Sequence, residues 1–248
     1  MTEIIDKKGK TVQEKLSGIV IGGVNFSEND KILNIFTLEK GIISAKIKGV
    51  KKAGAKLKFA SEPFCFAEYI FSVTGDKRTV IGASLIESFY PVRENIHKYF
   101  CAGTVLEFIK KFYQENMIDE TGFLFVINAL KEIAYGNNYL SALVKFLISA
   151  LSNFGFKLSL DGCFGCEHDI LGKVFFDYRR GAFFCEPCFD GTGREIHYIT
   201  FDALRLAQNG KLEDDNEGTK KAIKLLDYYI CNRAEESLNS LKELIKIF

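Results

Sequence analysis

The 248-residue sequence has no tryptophan, two methionines, three prolines and three histidines. With only His97, His168 and His197 available, general bases are few, and no His-Glu-x-x-His helix occurs. Also missing are a Gly-x-Ser-x-Gly elbow, a phosphate-binding P-loop and a Rossmann glycine fingerprint. A deaminase-type site would set a His-x-Glu or Cys-x-Glu segment against Pro-Cys-x-x-Cys, whereas here Pro187 falls inside a cysteine pair. The machinery of hydrolytic or transfer chemistry is lacking, and the sequence reads as that of a protein that is not an enzyme.

No apolar run reaches the roughly eighteen residues that a membrane-spanning helix requires. The opening Met1-Thr-Glu-Ile-Ile-Asp-Lys-Lys has no apolar stretch and no small-residue cleavage site of a secretion signal. Both absences predict a cytoplasmic protein with no membrane partner. A net charge of +1, with 47% hydrophobic and 26% charged residues, is ordinary for a soluble globular chain. The length suffices for more than one compact unit.

What the sequence does have is seven cysteines, four of them in two short pairs, Cys163-Phe-Gly-Cys166 and Cys185-Glu-Pro-Cys188, with eighteen residues between. That spacing lets four thiolates converge on one tetrahedral ion, and zinc suits a soft, all-sulfur shell. Such a shell leaves no position for water or substrate, so one structural ion is expected. Lys173–Tyr178 and Gly181–Phe184 read as two strands joined by a turn at Arg179-Arg180, which places the pairs before and after a hairpin, the layout of a zinc ribbon. His168 is read as a surface residue beside a complete shell. Cys65, Cys101 and Cys231 have no ligand spacing and are expected in the core. Arg179 and Arg180 fit either a phosphate contact or a turn charged for solubility.

Charge is unevenly spread. Residues 1–60 hold twelve lysines against six acids, and between Lys40 and Lys58 there are seven lysines and no acid at all. A solvated face explains that as readily as a polyanion-binding surface does. The segment from Gly49 to Phe59 mixes glycine with lysine and predicts a mobile loop.

From Val12 to Ser88 five strands are expected, at Gly18–Phe26, Lys31–Leu38, Ile42–Val50, Pro63–Val73 and Arg78–Glu87, giving a small barrel or sandwich. In the third, Ile43, Ala45 and Ile47 share one face while Ser44, Lys46 and Lys48 share the other. Beyond Pro91 the period changes to that of helices, at Ile96–Gln114, Thr121–Tyr135, Tyr139–Phe154, Thr200–Gln208, Gly218–Ala234 and Leu238–Phe248. Leu140, Leu143, Val144, Leu147, Ile148 and Leu151 form the clearest apolar stripe. The fold class is therefore α+β and multidomain: residues 1–88 as a barrel, 89–248 as a helical bundle, and 161–192 as an inserted four-cysteine module.

This order resembles the bacterial RecO family of recombination mediators. Asn25-Phe-Ser-Glu-Asn-Asp-Lys-Ile-Leu is similar to the family's first turn and second strand, and Lys40-Gly-Ile-Ile-Ser-Ala-Lys-Ile-Lys-Gly-Val-Lys-Lys to its third strand and basic loop. Ser84-Leu-Ile-Glu-Ser-Phe89 and Leu151–Cys166 match its last barrel strand and its helix-to-zinc junction. The resemblance implies an N-terminal OB-fold, binding of single- and double-stranded DNA, annealing of complementary strands, and loading of RecA onto strands coated by single-strand-binding protein. The implied partners are RecR and the C-terminal tail of that coating protein, in a nucleoid-associated setting. On this reading Lys46, Lys48, Lys51, Lys52, Lys56 and Lys58 are the expected phosphate contacts, with lysine in place of the family's usual arginine. A protein-interaction scaffold without direct DNA contact, its lysines purely solubilising, remains the alternative. An RNA-binding zinc-ribbon protein is a third.

Overall fold

A computed structural model describes residues 12–248. Residues 1–8, on which the expectation about a secretion signal rests, and Lys7, Lys8 and Lys10 of the basic N-terminal stretch lie outside the described residues. Five strands, β1 (Val12–Asn25), β2 (Lys31–Thr37), β3 (Gly41–Ile47), β4 (Phe66–Thr74) and β5 (Lys77–Glu87), form a closed barrel in the order β1-β2-β3-β5-β4. Neighbours are antiparallel except β3 and β5, which meet in parallel at Lys46↔Thr79 and Ile47↔Val80. Closure removes the unpaired edges that an open five-stranded sheet would expose.

Period-two alternation determines what fills the barrel. Ile43, Ala45 and Ile47 point inward and are buried, as do Cys65, Ala67, Tyr69 and Phe71 from the β4 side. Tyr69 keeps its hydroxyl satisfied by donating to the Ala60 carbonyl at 3.1 Å. β1 begins six residues earlier than its hydrophobic pattern announces. Gln13, Glu14 and Lys15 pair with Ser72, Phe71 and Ile70 of β4, and their charges are matched: Glu14 meets Lys40 and Arg78, and Lys15 meets Glu68 at 2.7 Å.

Two helices follow, α1 (Ile96–Phe112) and α2 (Glu120–Tyr135). Contacts divide the described chain into two units, one of residues 12–89 with Ile109–Phe125, the other of Tyr90–Phe108 with Val126–Phe248. In the first unit Phe36, on the outer face of β2, lies 5.0 Å from the Tyr113 ring and 5.4 Å from Phe123. Phe66 of β4 meets Phe123 edge-on at 5.7 Å. The aromatic side chains next to the lysine segment are therefore largely packing groups, since Phe36 and Phe64 are buried and Phe59 and Phe66 half-buried.

The second unit is built on α3 (Tyr139–Asn153), α4 (Tyr198–Gln208), α5 (Glu217–Arg233) and α6 (Asn239–Lys246). The α3 stripe is buried, and so are Ser141, Ala142, Phe146 and Ala150, so this helix is enclosed on most sides. Its first free N–H groups are satisfied from a distance: Leu140 and Ser141 donate to the Asp215 carboxylate at 3.0 and 2.8 Å. The acidic loop before α5 thus acts as the cap of α3. At the other polarity, the Lys98 ammonium donates to the Ala134 and Gly136 carbonyls at the end of α2.

Between α3 and α4 sits a three-stranded antiparallel sheet, β6 (Val174–Asp177), β7 (Ala182–Cys185) and β8 (Arg194–Ile196), ordered β7-β6-β8. The hairpin is the expected one; β8 is additional. Within the same unit Phe183 packs on Phe201 at 5.1 Å and Phe176 on Tyr229 at 5.9 Å. No helix among the described residues is long and apolar enough to cross a membrane.

Candidate metal centre and nucleic-acid interface

The two cysteine pairs are brought together by the β6–β7 hairpin. Cys163 and Cys166 lie on a tight turn, while Cys185 ends β7 and Cys188 closes the single helical turn Glu186–Cys188 that Pro187 initiates. The four sulfurs all lie within 4.8 Å of one another, and Cys166 Sγ is 3.9 Å from Cys185 Sγ. Two glycines make this approach possible. A Cβ on Gly165 would sit 2.9 Å from Cys188 Cβ, and Gly162 has φ +153 with its α-carbon facing the His168 carbonyl. His168 contributes that carbonyl, which accepts from the Cys163 N–H at 2.8 Å; its ring is not among the grouped ligands.

The electrostatics favour anionic sulfur at the centre. Burial works against ionising Cys163, but the Cys185, Cys166 and Gly165 N–H groups donate to its sulfur and bring the thiol down to about 6. The Cys185 N–H lies 3.3 Å from Cys163 Sγ. Cys188 moves the opposite way, up to about 12, because the neighbouring Cys185 and Cys166 sulfurs and then its burial disfavour a further negative charge. One thiolate thus forms easily, while Cys185 and Cys188 resist ionisation until a cation compensates them, which is the charge logic of a metal-binding cluster. The other three cysteines are separate: Cys65 and Cys101 are buried, and Cys231 is half-buried on α5.

The lysine segment adjoins the turn between β1 and β2. Contrary to the expected mobile loop, residues 49–61 form successive turns, with Lys52, Ala55 and Lys58 N–H groups donating to the carbonyls three residues earlier at 3.2 Å. Leu57 and Phe59 anchor these turns against the barrel core, which explains the order in a stretch without strand or helix periodicity. Lys48, Lys51, Lys52, Lys56 and Lys58 are exposed, and among the described residues none has an ion-pair partner. Lys48 and Lys52 line an open concavity of about 540 Å³ with Ser27, Glu28, Asn29 and Asp30.

Lys46 is placed differently from the other five. Its ammonium lies 2.8 Å from Asp30 Oδ2 and 4.4 Å over the Phe26 ring. Lys46 and the Gly49 N–H together hold the Asp30 carboxyl down at about 2. Alternation alone put Lys46 and Lys48 on one face, and they share it, yet only Lys48 extends to solvent. Sequence reasoning passed over Phe26, which is 56% exposed at the hairpin tip. Its signal was available: an aromatic next to Ser27-Glu28-Asn29-Asp30 has no apolar partner in the strand pattern. At the β6–β7 turn, Arg180 is tied to Asp190 at 2.8 Å and Asp177 at 3.4 Å, whereas Arg179 has no carboxylate partner among the described residues.

Two family models cover almost the whole described chain, one described as "Recombination protein O N terminal" over residues 12–89 and one as "Recombination protein O C terminal" over residues 93–242. Relatives named "DNA repair protein RecO" include that of Caldicellulosiruptor saccharolyticus, 29% identical over 73% of this chain and 75% of the relative. Those of Bacillus pumilus and Bacillus subtilis are 27% and 25% identical, covering 87% of this chain and 87% and 88% of their own lengths.

Proposed function

Since this chain belongs to the RecO family of DNA repair proteins, we propose that it is a recombination mediator acting without covalent chemistry. It binds single- and double-stranded DNA through the barrel, anneals complementary strands, and with RecR helps to load RecA onto strands coated by single-strand-binding protein. The observation that carries this reading is the set of five lysines, exposed and without an ion-pair partner among the described residues, on one ordered segment of a small closed barrel. The strand order β1-β2-β3-β5-β4, with one parallel pair closing the barrel, supports its assignment as an OB-fold.

Annealing needs charge compensation more than bond chemistry. Two polyanionic strands repel until cations on a protein surface displace their counterions and let them approach. Lys48, Lys51, Lys52, Lys56 and Lys58 supply that field in the proposal, with no base selectivity of their own. Lys46 has a different part, fixing the β1–β2 turn through Asp30 and holding Phe26 at the rim as a surface on which a base can stack.

The cysteine module is proposed to hold one zinc ion through Cys163, Cys166, Cys185 and Cys188. A tetrahedron with Zn–S bonds of about 2.3 Å has S–S edges of about 3.8 Å, and the 3.9 Å between Cys166 and Cys185 supports that fit. Bound zinc would supply a cross-link between the turn and the hairpin, which is a structural role. RecR and the acidic tail of single-strand-binding protein are the proposed partners, in the bacterial cytoplasm. Fluorescence anisotropy of a labelled oligonucleotide, titrated at several salt concentrations, tests the reading. Steep loss of affinity with salt supports it, and absence of any binding at low salt leaves the interaction-scaffold reading in its place.

A further inference from the structure

The sheet of the cysteine module and α5 enclose a cleft of about 360 Å³ whose lining includes Tyr178, Arg179, Gly193, Arg194 and Tyr228. Its side chains are arranged as cation and ring in alternation. The Arg194 guanidinium lies 4.0 Å over the Tyr228 ring. Tyr228 meets Tyr178 edge-on at 5.5 Å, and Arg179 lies 5.9 Å from the Tyr178 ring with its Nε 3.4 Å from the hydroxyl. A guanidinium resting on a ring is held flat and loses water from one side, so less freedom remains to be lost on binding an anion.

The charges around the cleft are not balanced. Arg179 and Arg194 are exposed and, among the described residues, neither is paired with a carboxylate. Arg180, next to Arg179 in the β6–β7 turn, is paired twice. The acid nearest the cleft, Asp177, is buried, accepts from the Arg179 N–H at 2.8 Å, and has Arg180 Nε 3.4 Å from its other oxygen. Arg180 offsets that charge by proximity alone, since the buried Oδ2 accepts no hydrogen bond among the described residues. Gly191 and Gly193 bound the cleft at φ +85 and +117; a Cβ at Gly191 would meet open space, whereas at Gly193 the backbone packs directly against the Phe176 carbonyl.

We propose that this cleft is a second DNA contact, separate from the barrel lysines, that seats one nucleotide of a single strand. Arg179 and Arg194 take the phosphate, and the tyrosine rings offer the apolar surface against which an unpaired base stacks. Its volume suits one nucleotide-sized group, at the lower end of ordinary small-ligand sites. A base held in a duplex cannot present its face to the rings, so the site discriminates single from double strands, which the barrel lysines cannot do. The proposal rests on the reading of this chain as DNA-binding.

The test uses the full-length, zinc-loaded protein with a labelled oligothymidylate and a duplex of the same length. Two variants are compared with the wild type, Arg179→Ala, which removes an exposed side chain, and Arg179→Ala with Arg194→Ala. For the double variant the expected result is roughly a tenfold loss of single-strand affinity at moderate salt and a fall of about 1.4 in the log–log salt slope. Duplex affinity is expected to change by less than about twofold. An oligonucleotide carrying 5-iododeoxyuridine should also cross-link to Tyr178 or Tyr228. The proposal is overturned if the wild type binds single strands while both variants match it, or if duplex binding falls equally. If the barrel lysines matter and the arginines do not, only this inference fails; if the wild type binds no DNA, the functional reading fails with it.

Discussion

Replacing Lys48, Lys51, Lys52, Lys56 and Lys58 together by alanine isolates the electrostatic part of DNA binding. All five side chains are exposed and have no carboxylate partner among the described residues, so each can release one condensed counterion when it meets a phosphate. At about 0.7 per single-strand phosphate contact, the slope of log affinity against log salt should fall by about 3.5. Raising salt from about 50 to about 200 mM then costs the wild type roughly a hundredfold more affinity than the variant. The fold should survive, because the turns at 49–61 are held by backbone hydrogen bonds and by Leu57 and Phe59, not by the ammonium groups. Lys46→Ala is the internal control. Its charge is already offset by Asp30, so by itself it should change the slope by much less than one lysine's share. Anisotropy titrations at four or more salt concentrations measure both. A five-lysine variant with the wild-type slope, or a Lys46→Ala variant that accounts for most of the change, would refute the reasoning.

Asp30→Asn should tighten DNA binding several-fold at low salt, since it frees Lys46 and removes one negative charge from the concavity; weaker binding would show that the pair is needed to shape the site. Because the folded state holds Asp30 at about 2, below the ordinary carboxylate value of 3.8, its stabilising effect is complete above that value and disappears as pH falls toward 2. Acid titration of unfolding should therefore separate wild type from Asp30→Asn above pH 4 and bring them together near pH 2. Cys163→Ser or Cys188→Ser should lower zinc from about one equivalent to near zero by metal assay, and a wild-type protein with four titratable thiols and no metal would remove the centre. Asp215→Ala strips the cap of α3 and should cost about 2 kcal/mol in urea unfolding, lowering the melting temperature by about 4–8 °C.

Much of this fold is readable from short-range periodicity. Ile43, Ala45 and Ile47 alternate with polar neighbours, and the α3 stripe recurs at helical spacing, so each element announces which side it buries. The cysteine cluster is legible for a similar reason: two-residue gaps and an eighteen-residue separation constrain where sulfur can go. What sequence could not reveal depends on groups far apart in the chain. Arg194 stands 34 positions from Tyr228, on a three-residue strand too short to show alternation. Asp215 caps a helix that begins at Tyr139. The first strand's charged start hides its β character because Glu14 and Lys15 find partners only once β3, β4 and β5 are in place. Lys46 looks like its neighbour Lys48 until Asp30 comes within reach.

The route of the chain between its two units bears on how the protein is made. The five strands are complete by Glu87, yet the rings that cover Phe36 and Phe66 come from Tyr113 and Phe123. A fragment ending at Phe89 would keep every strand and leave two aromatic faces bare, and such a piece should self-associate. During synthesis the barrel cannot be fully clothed until residue 125 has left the ribosome, and by then the chain has already passed once through the other unit. The stretch that completes the first unit is consequently made only after part of the second has already emerged.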